Sequence, residues 1–199
     1  MSSAPAGQPP LLNIANVLTG LRLLLVPVFL AALFVDNGTD TSWRLIAFVV
    51  FVVAALTDRL DGELARRRGL VTAFGTMVDP IADKALTGSA LIGLSMLGLV
   101  PWWASVLIMG REIGVTLLRL WVLRHGVIPA SRGGKAKTFV QSLAIGLYLL
   151  PLPDLVAVGV LRWTVLAVAI VLTVATGLDY VLRALRLRQT ATATAAEPS

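Results

Sequence analysis

The sequence contains no cysteine, a single histidine and few charged residues. Without cysteine, the chain cannot form disulfides or use thiol chemistry. Charged residues make up 14% of the 199 residues, whereas soluble domains carry about 25%. Hydrophobic residues make up 57%, and the mean hydropathy is +0.84. These values nearly exclude a water-soluble globular protein and are typical of an integral membrane protein.

Apolar runs separated by polar or basic segments predict six transmembrane helices, because about 20 helical residues cross the hydrocarbon core of a bilayer. The predicted helices lie near residues 15–35, from 45 through 58 and onward, 72–97, 102–123, 138–150 and 155–187. We therefore expect an all-α, polytopic membrane domain at residues 13–188. A disordered lead at 1–12 and a disordered tail at 189–199 are expected to flank it.

The positive charges of the chain, whose net charge is +6, are distributed unevenly between the predicted loops. Most follow predicted helices two, four and six, and only Arg44 and Arg162 lie on the other side. Since cytoplasmic loops of membrane proteins carry an excess of lysine and arginine, both termini are expected to face the cytoplasm. This asymmetry accounts for the basic balance, and no nucleic-acid partner is expected.

Nine ionisable residues fall inside the predicted spans, all towards the cytoplasmic ends: Arg22, Asp58, Asp61, Asp79, Asp83, Lys84, Arg111, Glu112 and Arg119. Charged groups in membrane helices are costly and usually line a functional cavity. We expect a polar chamber open to the cytoplasm; interhelical salt bridges are the alternative. A cation transporter is disfavoured, because no ionisable residue lies between Lys84 and Arg111 and the outer halves of the helices are nearly uncharged.

Four aspartates form two pairs. Asp58 and Asp61 end the second predicted helix, and Asp79 and Asp83 lie early in the third. Spacings of three and four residues place each pair on one helix face. Four carboxylates suit two hard divalent cations such as Mg²⁺ or Mn²⁺, and paired metals are used for phosphoryl displacement. Neutralisation by neighbouring basic side chains is the alternative.

The full pattern from Asp58 reads DRLDGELAR, then eight residues, G, three residues, D, three residues and D. It resembles the signature of the CDP-alcohol phosphotransferase family, D-x2-D-G-x2-A-R-x8-G-x3-D-x3-D, at every fixed position. The resemblance implies a six-helix membrane enzyme, usually a homodimer, with two metal ions held by the four aspartates. It implies transfer of a phosphatidyl group from CDP-diacylglycerol to an alcohol with release of CMP, and it assigns the general base to Asp83.

The same resemblance implies a set of residues that bind CDP-diacylglycerol. Two glycines would let the nucleotide approach the backbone, an arginine would hold a pyrophosphate oxygen, and polar side chains near the starts of helices one and three would contact the CDP part. Close helix packing and helix capping are the respective alternatives. The set comprises Asn16, Thr19, Gly62, Arg66, Thr72 and Gly75.

Three further segments begin at Asn16, Gly110 and Gly134 and read NVLTGLR, GRE and GKAKTFVQ. They resemble the corresponding segments of phosphatidylglycerophosphate synthases. The acceptor would then be sn-glycerol 3-phosphate, and the product phosphatidylglycerophosphate, an intermediate of phospholipid synthesis. The acceptor's phosphate would need cations, and the candidates are Arg111, Arg119, Arg132, Lys135 and Lys137.

Purely structural roles for these cations, and other acceptors, are the alternatives. Arg132, Lys135 and Lys137 could simply be an inward-facing basic loop, and Arg111 could pair with Glu112. Within the family, a phosphatidylinositol phosphate synthase or a cardiolipin synthase uses the same chemistry with another acceptor. We assign no role to His125. The expected location is the cell membrane, with the active site on its cytoplasmic side.

Overall fold

The computed structural model describes the backbone of residues 14–68, 73–122 and 132–195, and within them the side chains of 17–57, 81–82, 84–118 and 133–185. The described backbone is helical apart from short connections and contains no strand. The predicted all-α class is therefore confirmed for these residues. The predicted lead at 1–12 lies outside them.

Six α-helices and one 3-10 turn follow one another along the described chain. The 3-10 turn, Val35–Gly38, joins the first two helices. The helices are α1 Ile14–Phe34, α2 Thr41–Arg68, α3 Ala73–Met96, α4 Trp102–Val122, α5 Arg132–Leu149 and α6 Val156–Ala195. The sequence predicts the bounds of α1, α3 and α4 to within about two residues, because polar residues, glycine or proline punctuate those apolar runs.

Four predicted helix ends are wrong. The first is the start of α2, which lies at Thr41 rather than near Leu45, because Asp40 caps the helix there. The basic connector expected at residues 66–69 belongs to α2 as far as Arg68, because arginine is a good helix former. The loop expected up to Lys137 is already helical from Arg132, so its basic residues lie in the first turns of α5. The tail expected to be disordered from Gln189 is helical to Ala195, since alanine favours helix and no proline interrupts it.

The chain divides into two compact units, the first comprising residues 1–98 and 149–151. Its helices are α1, α2 and α3, and α1 packs against both of the others. Phe29 of α1 and Phe51 of α2 are buried with ring centroids 6.1 Å apart. Leu33 of α1 and Leu94 of α3 are fully buried as well. The apolar face of α1 therefore forms the centre of this unit.

A tight turn reverses the chain between α1 and α2. Asp36, Asn37 and Gly38 have positive φ values of 46°, 52° and 71°, and aspartate, asparagine and glycine are the residues that adopt this conformation most readily. A Cβ on Gly38 would lie 2.6 Å from Cδ1 of Leu97, the residue that follows α3, so the turn also needs the absence of a side chain there. The Asp40 carboxylate caps α2 by accepting from the Trp43 backbone N–H at 2.8 Å.

The second unit comprises residues 99–148 and 152–199, with α4, α6 and all of α5 but its last residue. In it, α4 packs against α6. Ile108 of α4 and Leu166 and Ala169 of α6 are buried, as are Ala144 and Ile145 of α5. This unit holds the predicted acceptor-binding cations, whereas the first holds the four aspartates.

Two stretches of the described chain are long and apolar enough to cross a membrane, Val17–Gly38 and Val156–Leu185, and Thr41–Thr57 is a shorter apolar helix. The stretches of α3, α4 and α5 whose side chains are described are shorter than these two. Large apolar side chains are nevertheless exposed on both units, including Leu24 at 68% and Val106 at 64%. Such exposure in water is unfavourable and marks surfaces that meet lipid or another protein.

Candidate active site

The four aspartates lie on the two helices where the sequence predicts them. Asp58 and Asp61 belong to α2, and Asp79 and Asp83 belong to α3. Helical spacings of three and four residues place each pair on one side of its helix, and α2 and α3 contact each other within the first unit. Their side chains lie outside the described part of the chain.

The donor set formed by these residues fits a hard divalent cation. Carboxylate oxygens are the ligands that Mg²⁺ and Mn²⁺ prefer, and the chain has no thiol to favour a softer metal. Among the side chains that the structure does describe, no other group of three or more acidic or histidine residues could hold a metal. Asp58, Asp61, Asp79 and Asp83 are therefore the candidates for metal binding.

The residues predicted to bind the CDP part fall mostly on the same helices. Gly62 and Arg66 lie in α2 and Gly75 in α3, where only the backbone is described. Asn16 and Thr19 lie in the first turns of α1, and Thr19 is 2% exposed. The remaining candidate, Thr72, lies outside the described residues, as does His125. The structure thus places Gly62 and Arg66 on the helix of the first aspartate pair.

In the second unit, two predicted acceptor cations share one carboxylate. Glu112 Oε1 accepts hydrogen bonds from Arg111 Nη1 at 3.2 Å and from Lys137 Nζ. Lys137 is almost fully buried, and its ammonium joins α5 to α4 through this contact. The expected alternative for Arg111, an ion pair with Glu112, is therefore present.

Arg111 also contacts α6. Its Nη2 donates to Thr176 Oγ1 at 2.7 Å, and its guanidinium carbon lies 5.9 Å from the centre of the Tyr180 ring. Gly177 leaves room for the side chain, because a Cβ there would lie 3.1 Å from Arg111 Cγ. The buried Nε of Arg111 has no hydrogen-bond acceptor among the described residues. Arg111 is thus held on several sides, with one donor unused there.

The other predicted cations of the second unit differ in how much of them is described. Lys135 is exposed in the first turn of α5 and forms no ion pair with a described residue. Arg119 lies in α4 and Arg132 begins α5, and their side chains are outside the described part. Gln141 follows Lys137 by one turn, is 4% exposed, and its Oε1 has no donor among the described residues.

Sequence reasoning missed the residues that hold Arg111. Thr176 and Tyr180 lie more than 60 positions along the chain from it, and nothing in the sequence of α6 connects them to α4. The pairing of Arg111 with Glu112 was predictable, because the two residues are adjacent in the Gly110-Arg111-Glu112 segment. The hydrogen bond from Lys137 of α5 to Glu112 was not predicted. The α4–α6 packing that the structure shows brings Thr176 and Tyr180 to Arg111.

Comparison with known proteins gives consistent matches over most of the chain. The sequence model of the CDP-alcohol phosphatidyltransferase family matches residues 12–175. A Mycobacterium tuberculosis protein named probable phosphatidylglycerophosphate synthase is 59% identical over 190 residues, covering 94% of this chain and 90% of that protein. Proteins of Rickettsia felis and Bacillus subtilis named CDP-diacylglycerol–glycerol-3-phosphate 3-phosphatidyltransferase are 36% and 35% identical, each covering 84% of this chain and 93% of the relative.

Proposed function

This chain belongs to the CDP-alcohol phosphatidyltransferase family, and we propose that it transfers the phosphatidyl group of CDP-diacylglycerol to sn-glycerol 3-phosphate. The products are phosphatidylglycerophosphate and CMP, which makes the protein an enzyme of phospholipid synthesis. The observation that carries the proposal is the agreement between the aspartate pattern on α2 and α3 and the names of relatives that match nearly the whole chain.

The proposed reaction is a displacement at the phosphorus that carries the diacylglycerol. The free primary hydroxyl of glycerol 3-phosphate attacks that phosphorus and forms the new P–O bond, while the bond to the CMP phosphate breaks and CMP leaves. We assign the proton of the hydroxyl to the Asp83 carboxylate, four residues beyond Asp79 in α3. The carboxylate accepts this proton as the forming bond acidifies the hydroxyl.

Asp58, Asp61, Asp79 and Asp83 would hold two divalent ions, Mg²⁺ or Mn²⁺. When bound, such ions neutralise the charge that develops on the phosphate oxygens and orient the pyrophosphate. Around the donor, Arg66 would bind a pyrophosphate oxygen. Further donor contacts are assigned to the backbone at two glycines and to polar side chains of α1 and the α2–α3 connection, namely Gly62, Gly75, Asn16, Thr19 and Thr72.

The acceptor's phosphate dianion requires cations, and the second unit supplies them. Lys135 is exposed at the start of α5, and Arg111 carries an unused buried donor among the described residues. Arginine binds phosphate with two parallel hydrogen bonds, and lysine binds it as a compact charge. Arg119, Arg132 and Lys137 complete the proposed set. A family enzyme with another acceptor, such as inositol phosphate or phosphatidylglycerol, is the second candidate.

The two apolar spans and the family place the chain at a membrane. We further propose that all six helices span it, with both termini and the active site on the cytoplasmic side, and that the protein is a homodimer. The exposed apolar side chains on both units support burial in lipid or against a second copy. The distribution of basic residues supports the orientation.

Metal removal combined with aspartate variants tests the proposed chemistry. Purified protein is given CDP-diacylglycerol, glycerol 3-phosphate and Mg²⁺, and CMP release is measured. We expect EDTA to abolish release and excess Mg²⁺ to restore it. Asp58→Ala and Asp79→Ala should each lose at least about a hundredfold in turnover, because a missing ligand displaces the metal. Activity that survives EDTA or either substitution would contradict the two-metal assignment.

A further inference from the structure

Glu112 occupies a position between two cations from different helices. A single carboxylate oxygen, Oε1, accepts from Arg111 on α4 and from Lys137 on α5. All three side chains are largely removed from solvent, with exposures of 14%, 24% and 5% for Arg111, Glu112 and Lys137. Two neighbouring cations in so poorly solvated a place would repel each other, and the carboxylate between them offsets that repulsion.

The cluster of Arg111, Glu112 and Lys137 carries one positive charge in excess. The Arg111 Nε that has no acceptor among the described residues leaves Arg111 able to donate to a further anion. A phosphate group supplies both the negative charge and the acceptor oxygens.

The far side of Arg111 is held by α6. Thr176 Oγ1 accepts from Nη2 at 2.7 Å, and the same hydroxyl donates to the Leu172 carbonyl at 2.6 Å, which fixes its direction. Glu112 and Thr176 therefore hold different nitrogens of one guanidinium. A guanidinium held in this way presents its remaining donor in one orientation, so less side-chain entropy is lost when an anion binds.

We propose that Glu112 is a positioning residue for the acceptor. Together with Thr176 it orients Arg111, and its carboxylate holds Arg111 and Lys137 at the spacing that binds the phosphate of glycerol 3-phosphate. This inference rests on the proposed function and deepens it. Glu112 itself does not touch the acceptor. Its negative charge weakens the overall attraction of the site for a dianion, so tight binding requires the donors of Arg111 and Lys137 to be correctly placed.

The test is a pair of apparent KM values, one for glycerol 3-phosphate and one for CDP-diacylglycerol, measured on purified full-length protein by CMP release. The variants are Glu112→Ala, Glu112→Gln and Thr176→Val, with Thr164→Val as the matched control. Thr164 lies on the same helix and donates to the carbonyl four residues earlier, as Thr176 does, but it is exposed and bonds no cation.

We expect Glu112→Ala to raise the KM for glycerol 3-phosphate about tenfold or more, because it releases two charge-assisted hydrogen bonds. Glu112→Gln keeps an accepting oxygen and should show a smaller rise, and Thr176→Val a rise of several-fold. The KM for CDP-diacylglycerol should stay within about twofold in each, and Thr164→Val should leave both values within about twofold.

A fall in the KM for glycerol 3-phosphate in Glu112→Ala would overturn the proposal, because it would mean that Glu112 merely repels the phosphate. Equal rises in both KM values would overturn it in favour of a structural ion pair. If the Glu112 variants do not fold, Thr176→Val decides, and values equal to those of Thr164→Val refute the positioning role. Wild-type protein that releases no CMP with glycerol 3-phosphate would instead refute the proposed function.

Discussion

The four aspartates are chemically identical residues with different proposed roles. Asp58, Asp61 and Asp79 are proposed to bind metal, whereas Asp83 is proposed to bind metal and also to accept the acceptor's proton. The distinction rests on position, because Asp83 lies one turn beyond Asp79 in α3. An acceptor that enters past the metal-binding acids would meet this carboxylate last.

Substitution of Asp83 by asparagine separates these tasks. Asp83→Asn keeps the size and an oxygen that can bind metal, but it removes the basic site. General-base catalysis contributes about 10²–10⁴-fold, so we expect turnover to fall by that range while CDP-diacylglycerol still binds. Single-turnover CMP release and binding of labelled CDP-diacylglycerol measure the two effects.

The matched control is Asp179→Asn. Asp179 is exposed on α6, where its carboxylate accepts from Arg183 at 3.0 Å, and an exposed pair of this kind contributes little. We expect this variant to keep its turnover. Near-normal turnover in Asp83→Asn would point to another base.

Single residues also show how far the sequence alone reaches. The spacing of Asp58, Asp61, Asp79 and Asp83 is local, so helix periodicity was enough to pair them and donor chemistry was enough to propose a metal. The partners of Arg111 were beyond that reasoning, because Thr176 is 65 positions away and only helix packing brings the two together. Side-chain placement around the aspartates stays a prediction.

The basic residues just before Thr138 lie in the first turns of helix α5 rather than in a loop, and this changes their electrostatic surroundings. The segment was expected to be a loop, but the helix begins at Arg132, so Lys135 lies in its first turn. The first turn of a helix has backbone N–H groups without partners and the positive end of the helix dipole. Basic residues there are unfavourable for the helix itself but strengthen its attraction for an anion.

Lys135→Ala tests this element. Lys135 is exposed and forms no ion pair with a described residue, so its removal leaves no buried charge behind. We expect the KM for glycerol 3-phosphate to rise about tenfold, with a much smaller effect on the KM for CDP-diacylglycerol. Arg183→Ala, which removes an exposed cation paired with Asp179, should change neither value. Equal weakening of both substrates by Lys135→Ala would indicate a structural role.

The helices were predictable where composition changes sharply. Proline and glycine around residues 98–101 mark the boundary between α3 and α4, and the polar residues 36–40 mark the end of α1. The start of α5 was missed because Gly133 and Gly134 are typical of loops. The end of α6 was missed because its alanine and threonine composition resembles a disordered tail, although alanine is also the best helix former.

For the whole molecule, the side of the membrane on which the proposed active site lies depends on how the chain crosses the bilayer. Two stretches of the described residues are long and apolar enough to span it, and the proposed six-span arrangement adds the other four helices. In that arrangement, the connections α2–α3 and α4–α5 face the cytoplasm, and the connection α5–α6 faces the outside. Most of the basic residues would then lie on the cytoplasmic side, as the positive-inside rule predicts, with Arg44 and Arg162 on the other side.

Single-cysteine labelling tests this arrangement without a background, because the natural chain has no cysteine. Asp154→Cys places a thiol in the exposed connection between α5 and α6, and Ser131→Cys places one just before α5. We expect a membrane-impermeant maleimide to label Asp154→Cys in intact cells. Ser131→Cys should be labelled only after permeabilisation. The opposite result, or labelling of both in intact cells, would contradict the proposed topology.

The identity of the acceptor can be read from the lipid product. Purified protein receives CDP-diacylglycerol and Mg²⁺ with glycerol 3-phosphate, inositol phosphate or phosphatidylglycerol in separate reactions, and the lipid formed is identified by mass spectrometry. We expect phosphatidylglycerophosphate, with stoichiometric CMP, from the reaction that contains glycerol 3-phosphate. A product formed efficiently from either other acceptor, with none from glycerol 3-phosphate, would contradict it.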